Sequence, residues 1–130
     1  MNTSAVIGVF FDQNENLLTI KNSRGIDVPG GHTKNGETVG QTIIREAYEE
    51  AGAVIKNIQI VEKIQTKTGM YRDQNMIFVT GKVVSFDIKR AKLSSMAVFL
   101  KEYTQNKQLM RKVLRKAKNV YERKRFAITS

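Results

Sequence analysis

The chain has 130 residues and a mass of 14.7 kDa, with 22 Lys and Arg against 12 Asp and Glu and a formal charge of +10. It contains no cysteine, which excludes disulfide scaffolds, Cys-ligated zinc, iron–sulfur clusters and thiol nucleophiles, so the core must rest on apolar burial. No apolar run approaches the roughly 18 residues of a spanning helix, and the start lacks a basic leader; the expectation is one soluble, cytoplasmic domain over residues 1–130.

In chain order, Ala5 to Phe11 is apolar, β-branched and aromatic, and the turn-rich Asp12 to Asn16 leads to a second such run, Leu17 to Lys21. This predicts a hairpin. Asn22 to Pro29 reads as loop, and Pro29-Gly30-Gly31 reads as a breaker because successive glycines permit backbone angles that other residues avoid. A helix follows. Thr38 and Gln41 form a capping box, Val39, Ile43, Ala47 and Ala51 recur every four residues as a buried stripe, and Gly52 stands where a left-handed cap belongs. Val54 to Thr66 and Met76 to Phe86 are strand-like, Lys67 to Asn75 is a polar loop between them, and Met96 to Leu100 suits a short strand.

From Lys101 to about Arg125, Leu109, Met110, Val113, Leu114, Ala117, Val120 and Tyr121 keep helical spacing. This long amphipathic helix carries a very basic outer face. Residues 1–79 hold 8 basic and 9 acidic side chains, whereas residues 80–130 hold 14 and 3. Such a surface attracts polyphosphates, RNA or anionic membrane; a simply solvated face is the alternative. No internal repeat or linker divides the chain.

Acids concentrate on and just before the first helix: Glu37, Glu46, Glu49 and Glu50, with Arg45 beside them. Residues three and four apart share a helix face, so Glu46, Glu49 and Glu50 are expected to converge despite their repulsion. A hard cation such as Mg²⁺, Mn²⁺ or Ca²⁺ between oxygen ligands would account for them, and a solvated acidic face paired to Arg45 is the other reading.

The spacing adds a specific likeness. From Gly31 through Glu37, Arg45-Glu46, Glu49-Glu50 and Gly52 to Ala53, the segment resembles the Nudix box, G-x5-E-x7-R-E-U-x-E-E-x-G-U. Every polar and glycine position matches. Ala47 and Ala53 stand where the family has bulky aliphatics, a departure that touches packing more than chemistry. The resemblance implies an α/β fold, the Nudix α/β/α sandwich with a mixed β-sheet between helices, and metal-dependent hydrolysis of a nucleoside diphosphate linked to another group. It also implies Mg²⁺ or Mn²⁺ held by Glu46, Glu49, Glu50 and the Gly30 carbonyl, with Glu37 and Arg45 assisting and Gly30 and Gly31 toward the substrate; His32 is a further candidate substrate contact or else a solvated loop residue, and Tyr71 a base-stacking platform or else packing.

The general base stays open. Lys92 to Val98, where many relatives carry a glutamate, has no acid, leaving Glu49, Asp73, Asp87 and Glu102. For the substrate, a small nucleotide is expected before a nucleic acid. Thr68 stands where ADP-ribose hydrolases tend to have proline, and Tyr71 lies where dinucleoside polyphosphate hydrolases have tyrosine. The short chain is like the MutT-type nucleoside triphosphate pyrophosphatases, which rank first. A dinucleoside polyphosphate hydrolase, an RNA 5′-end hydrolase or an RNA-binding protein using the basic helix are the alternatives.

Overall fold

The computed structural model describes residues 4–12, 16–23, 25–65, 75–87, 96–100 and 112–120. In chain order it contains β1 (Ser4–Gly8), β2 (Leu17–Asn22), β3 (Gly25–Asp27), β4 (Gly30–His32), α1 (Val39–Ala51), β5 (Ala53–Gln65), β6 (Asn75–Phe86) and β7 (Met96–Leu100), and residues 112–120 are helical (α2). The strands form one sheet in the order β4-β1-β6-β5 and another in the order β3-β2-β7. The first is mixed: β1 runs parallel to β6, and the β1–β4 and β5–β6 pairs are antiparallel.

Side-chain alternation along the strands separates two apolar layers. Val6, Leu18, Ile20, Ile77 and Val79 face α1, where they meet Ile43, Ala47 and Ala51. Leu17, Met76 and Phe78 face the other way and pack, with Val9 and Phe11, on Val113 and Ala117 of α2. Helices thus cover both faces of the β layer, the α/β/α arrangement expected. Each fully buried Val, Ile or Phe side chain contributes about 1.5–3 kcal/mol.

α1 follows its sequence signals closely. Thr38 Oγ1 accepts the Gln41 N–H, the Gln41 side chain accepts the Thr38 N–H, and Gly52 ends the helix at φ 66°. The strands 53–65 and 75–86 and the short strand 96–100 also form. β5 is irregular midway, where its register to β6 shifts and Asn57 takes φ 56°, as a bulge requires.

Three expectations need correction. The predicted hairpin closes only at its tip: the Asp12 N–H meets the Asn16 carbonyl, and the Leu18 N–H meets the Phe10 carbonyl. Beyond that the two strands part into different sheets. A strand has only two edges, and those of β1 are taken by β4 and β6. The segment 22–29 is not all loop, because β3 pairs antiparallel with β2. Nor does Pro29-Gly30-Gly31 break the chain through unusual angles, since Gly30 and Gly31 are strand residues outside the positive-φ set. They are glycine for space. A Cβ on Gly30 would stand 2.6 Å from the Val6 carbonyl oxygen, and one on Gly31 would stand 2.5 Å from the Glu46 carboxylate.

Of the predicted basic helix, 112–120 lies within the described residues and the remainder outside them. Val113 and Ala117 are buried, as the stripe requires. Its cations are partly engaged in the fold: Lys112 and Lys116 both pair with Glu62 of β5, and Lys118 Nζ lies 5.9 Å from the Phe11 ring centre. The Lys116 ammonium is the main cause holding the Glu62 carboxyl below its ordinary range.

Candidate active site

β4 runs beside α1, and the contact is built residue against residue. Gly30 donates its N–H to Glu50 Oε1 at 3.0 Å. Gly31 leaves the space that the Glu46 carboxylate fills. The His32 carbonyl accepts from Arg45 Nη2 at 3.3 Å. Glu46 and Glu50 are one helical turn apart and so present carboxylates to the same strand.

Arg45 is the hub. Its Nε donates to Glu37 Oε2 at 2.7 Å and its Nη2 to Glu37 Oε1 at 3.0 Å, a two-pronged grip. Its Nη1 reaches Glu46 Oε1 at 2.7 Å and Glu49 Oε2 at 3.4 Å. The Arg45, Glu37 and Glu46 side chains keep only 20%, 18% and 14% of their exposure, whereas Glu49 keeps 44%. Glu49 is therefore the carboxylate of this group most open to solvent.

Glu37 is held from several sides. Besides Arg45, its Oε1 accepts the Lys34 N–H at 2.8 Å and lies 3.2 Å from Thr42 Oγ1. These donors, the Arg45 guanidinium first, lower its pKa from 4.5 to about 2, and Glu37 in turn raises that of Arg45. A depressed carboxylate pKa contributes stability that is complete above the unfolded value and fades as pH falls toward the folded one. The melting-temperature advantage of the native protein over Glu37→Gln is thus constant above about pH 5 and shrinks between pH 4.5 and pH 2. Thermal melts across that range check it.

Glu37, Arg45, Glu46, Glu49, Glu50, Gly30 and Gly31 are all brought together, but the three helix carboxylates do not converge on one point as expected. Among the described residues no group of three His, Cys, Asp or Glu stands ready around a metal ion. Arg45 Nη1 gathers Glu46 and Glu49 on one donor, whereas the Gly30 N–H holds Glu50 on another. The donor set nevertheless suits a hard divalent ion, being all oxygen, and the missing Cβ of Gly31 leaves room for the Glu46 carboxylate against the strand.

The His32 side chain is exposed, and its contribution to the network is its carbonyl. Tyr71, Asp73 and Glu102 lie outside the described residues. Asp87 accepts from the Tyr48 hydroxyl at 2.8 Å, and its N–H meets the Gly52 carbonyl, which ties the end of β6 to the end of α1. Sequence reasoning missed Thr42, whose hydroxyl reaches Glu37. The available signal was a polar residue four positions after the cap on the buried side of α1.

The NUDIX domain family model matches residues 1–108. The chain belongs to the Nudix family. Among solved structures it is similar to a Nudix hydrolase from Nitrosomonas europaea, at 25% identity and TM-score 0.64, over 85% of this chain and 80% of that one. It shares the fold of an ADP-ribose pyrophosphatase from Streptococcus suis, at 14% identity and TM-score 0.73, over 88% and 91% of the two chains. It also shares the fold of a MutT structure from work on Aliivibrio salmonicida and Vibrio cholerae, at 18% identity and TM-score 0.60, over 88% and 98%. A search of curated proteins finds no match. As a Nudix hydrolase the chain acts on phosphoanhydrides, in a family that works on small nucleotides and generally uses divalent metal ions. No helix of the described residues is long and apolar enough to cross a membrane.

Proposed function

We propose that the chain is one Nudix domain working as a nucleoside triphosphate pyrophosphatase of the MutT type, dependent on Mg²⁺ or Mn²⁺. The observation that carries this reading is the alignment of Glu46 and Glu50 with the glycines of β4, Glu46 gripped by Arg45 and Glu50 by the Gly30 N–H. The single domain is supported by α2, which packs on strands that lie within the family match. The nucleotide class rests on the short single domain and on Thr68 standing where ADP-ribose hydrolases tend to have proline.

In this reading Glu46, Glu49 and Glu50, with the Gly30 carbonyl, would hold the cation. A bound Mg²⁺ or Mn²⁺ would offset charge on the phosphate oxygens and lower the pKa of a bound water. The rest falls to the chain. Arg45 keeps Glu46 and Glu49 at fixed positions, and Glu37 keeps Arg45 in place. Glu49, more open than Glu37 and Glu46, accepts the proton as the water oxygen bonds to phosphorus and a bridging P–O bond breaks. Gly30 and Gly31 leave the room that lets β4 lie against Val6 and Glu46, and by the family likeness Gly30, Gly31, His32 and Tyr71 would form the substrate side.

Coupled phosphate release from nucleoside triphosphates, oxidised dGTP, ADP-ribose, dinucleoside polyphosphates and 5′-triphosphorylated RNA tests the proposal. The expected result is one preferred nucleoside triphosphate, activity abolished by a chelator and restored by Mg²⁺ or Mn²⁺. Preference for another member reassigns the substrate, with RNA turnover pointing to the basic helix. Chelator-resistant turnover overturns the metal assignment.

A further inference from the structure

Thr42 is fully buried in α1, beside the apolar stripe of Ile43 and Ala47 and not on its solvent side. Its Oγ1 lies 3.0 Å from the Thr38 carbonyl oxygen and 3.2 Å from Glu37 Oε1. A hydroxyl has one proton to give. The Thr38 carbonyl is the nearer acceptor but a neutral one, whereas the carboxylate is charged and the stronger acceptor, and a hydroxyl lone pair turned toward it would face negative charge. The proton therefore goes to Glu37.

We propose that Thr42 is a positioning residue for the active site: its hydroxyl holds the Glu37 carboxylate in the plane that lets Arg45 grip it with two bonds and present Nη1 to Glu46 and Glu49. The assignment rests on reading those glutamates as the active site. Of the donors to Glu37, Lys34 belongs to an exposed loop and Arg45 is itself the group to be placed. Thr42 alone among these three reaches Glu37 from inside the core, on a side chain held by full burial. Valine has the same shape without the proton, and serine has the proton without the methyl.

Two readouts test this on the full chain: hydrogen exchange of the Arg45 Nε–H by NMR, and kcat and KM for the preferred nucleotide. In Thr42→Val we expect exchange about tenfold faster and kcat about tenfold lower, with KM within about twofold. Thr42→Ser should return both to within about twofold of the native protein. Unchanged exchange and kcat in Thr42→Val, or a serine variant as impaired as the valine one, overturns the proposal. Should Thr42→Val fail to fold, Thr42→Ala against Thr42→Ser makes the same comparison. Turnover that survives Glu50→Gln would instead sink the reading of the site, while Arg45 exchange would still report whether Thr42 holds the network.

Discussion

Glu50→Gln lowers kcat by at least about a hundredfold and leaves the melting temperature within about 2 °C of the native value. The separation of the two effects follows from one hydrogen bond. Glu50 Oε1 accepts the Gly30 N–H at 3.0 Å, and a glutamine carbonyl oxygen accepts the same bond at the same length. Side-chain volume is nearly unchanged, so the seam between β4 and α1 stays closed. What is lost is the negative charge, and with it the attraction for a divalent ion that the proposed chemistry needs. Steady-state kinetics at saturating Mg²⁺, alongside a thermal melt, measure both. A variant that keeps native turnover with metal would overturn the site assignment, and one that unfolds would show that the Gly30 contact needs the carboxylate charge.

Gly31→Ala and Gly30→Ala should fail in opposite ways although they are neighbours. The new Cβ at position 31 comes within 2.5 Å of the Glu46 carboxylate, the movable end of a flexible side chain. Glu46 swings away at little cost to stability, but it leaves Arg45 Nη1 and its place on β4, and kcat falls by about tenfold to a hundredfold. The new Cβ at position 30 meets the Val6 carbonyl oxygen at 2.6 Å, which is backbone inside the four-stranded sheet. That backbone yields only if the β1–β4 pairing shifts, and we expect a destabilisation of about 1–3 kcal/mol. Denaturant unfolding and kcat on the two variants separate the cases. Equal stability losses would mean that Glu46 is fixed more firmly than its contacts indicate.

Much of α1 was legible because its determinants are local. The capping pair Thr38 and Gln41, the four-residue spacing of Ile43, Ala47 and Ala51 and the left-handed Gly52 all act within a few residues of the backbone they shape. The box from Gly31 to Ala53 was legible for the same reason, and it named the residues that the fold brings together. The charge of the C-terminal half was countable, but its partial neutralisation was not. Glu62 lies about fifty residues before Lys112 and Lys116, and only the packing of α2 on the sheet makes them partners.

By itself, the sequence determined the helix and its ends, the family through the spacing of its acids, the exclusion of cysteine chemistry and the existence of the long central strands. Tertiary structure decided which edges those strands share, since β1 could pair with β2 across a short turn but spends both edges on β4 and β6. It also decided why two glycines follow Pro29: the constraint there is space for the Val6 carbonyl and the Glu46 carboxylate, not backbone angle. Above all it decided how the acids stand, with Arg45 and the Gly30 N–H drawing them to separate partners and Thr42 steadying Glu37 from the core. Helix periodicity says which residues share a face, but where each carboxylate points depends on donors supplied by another element.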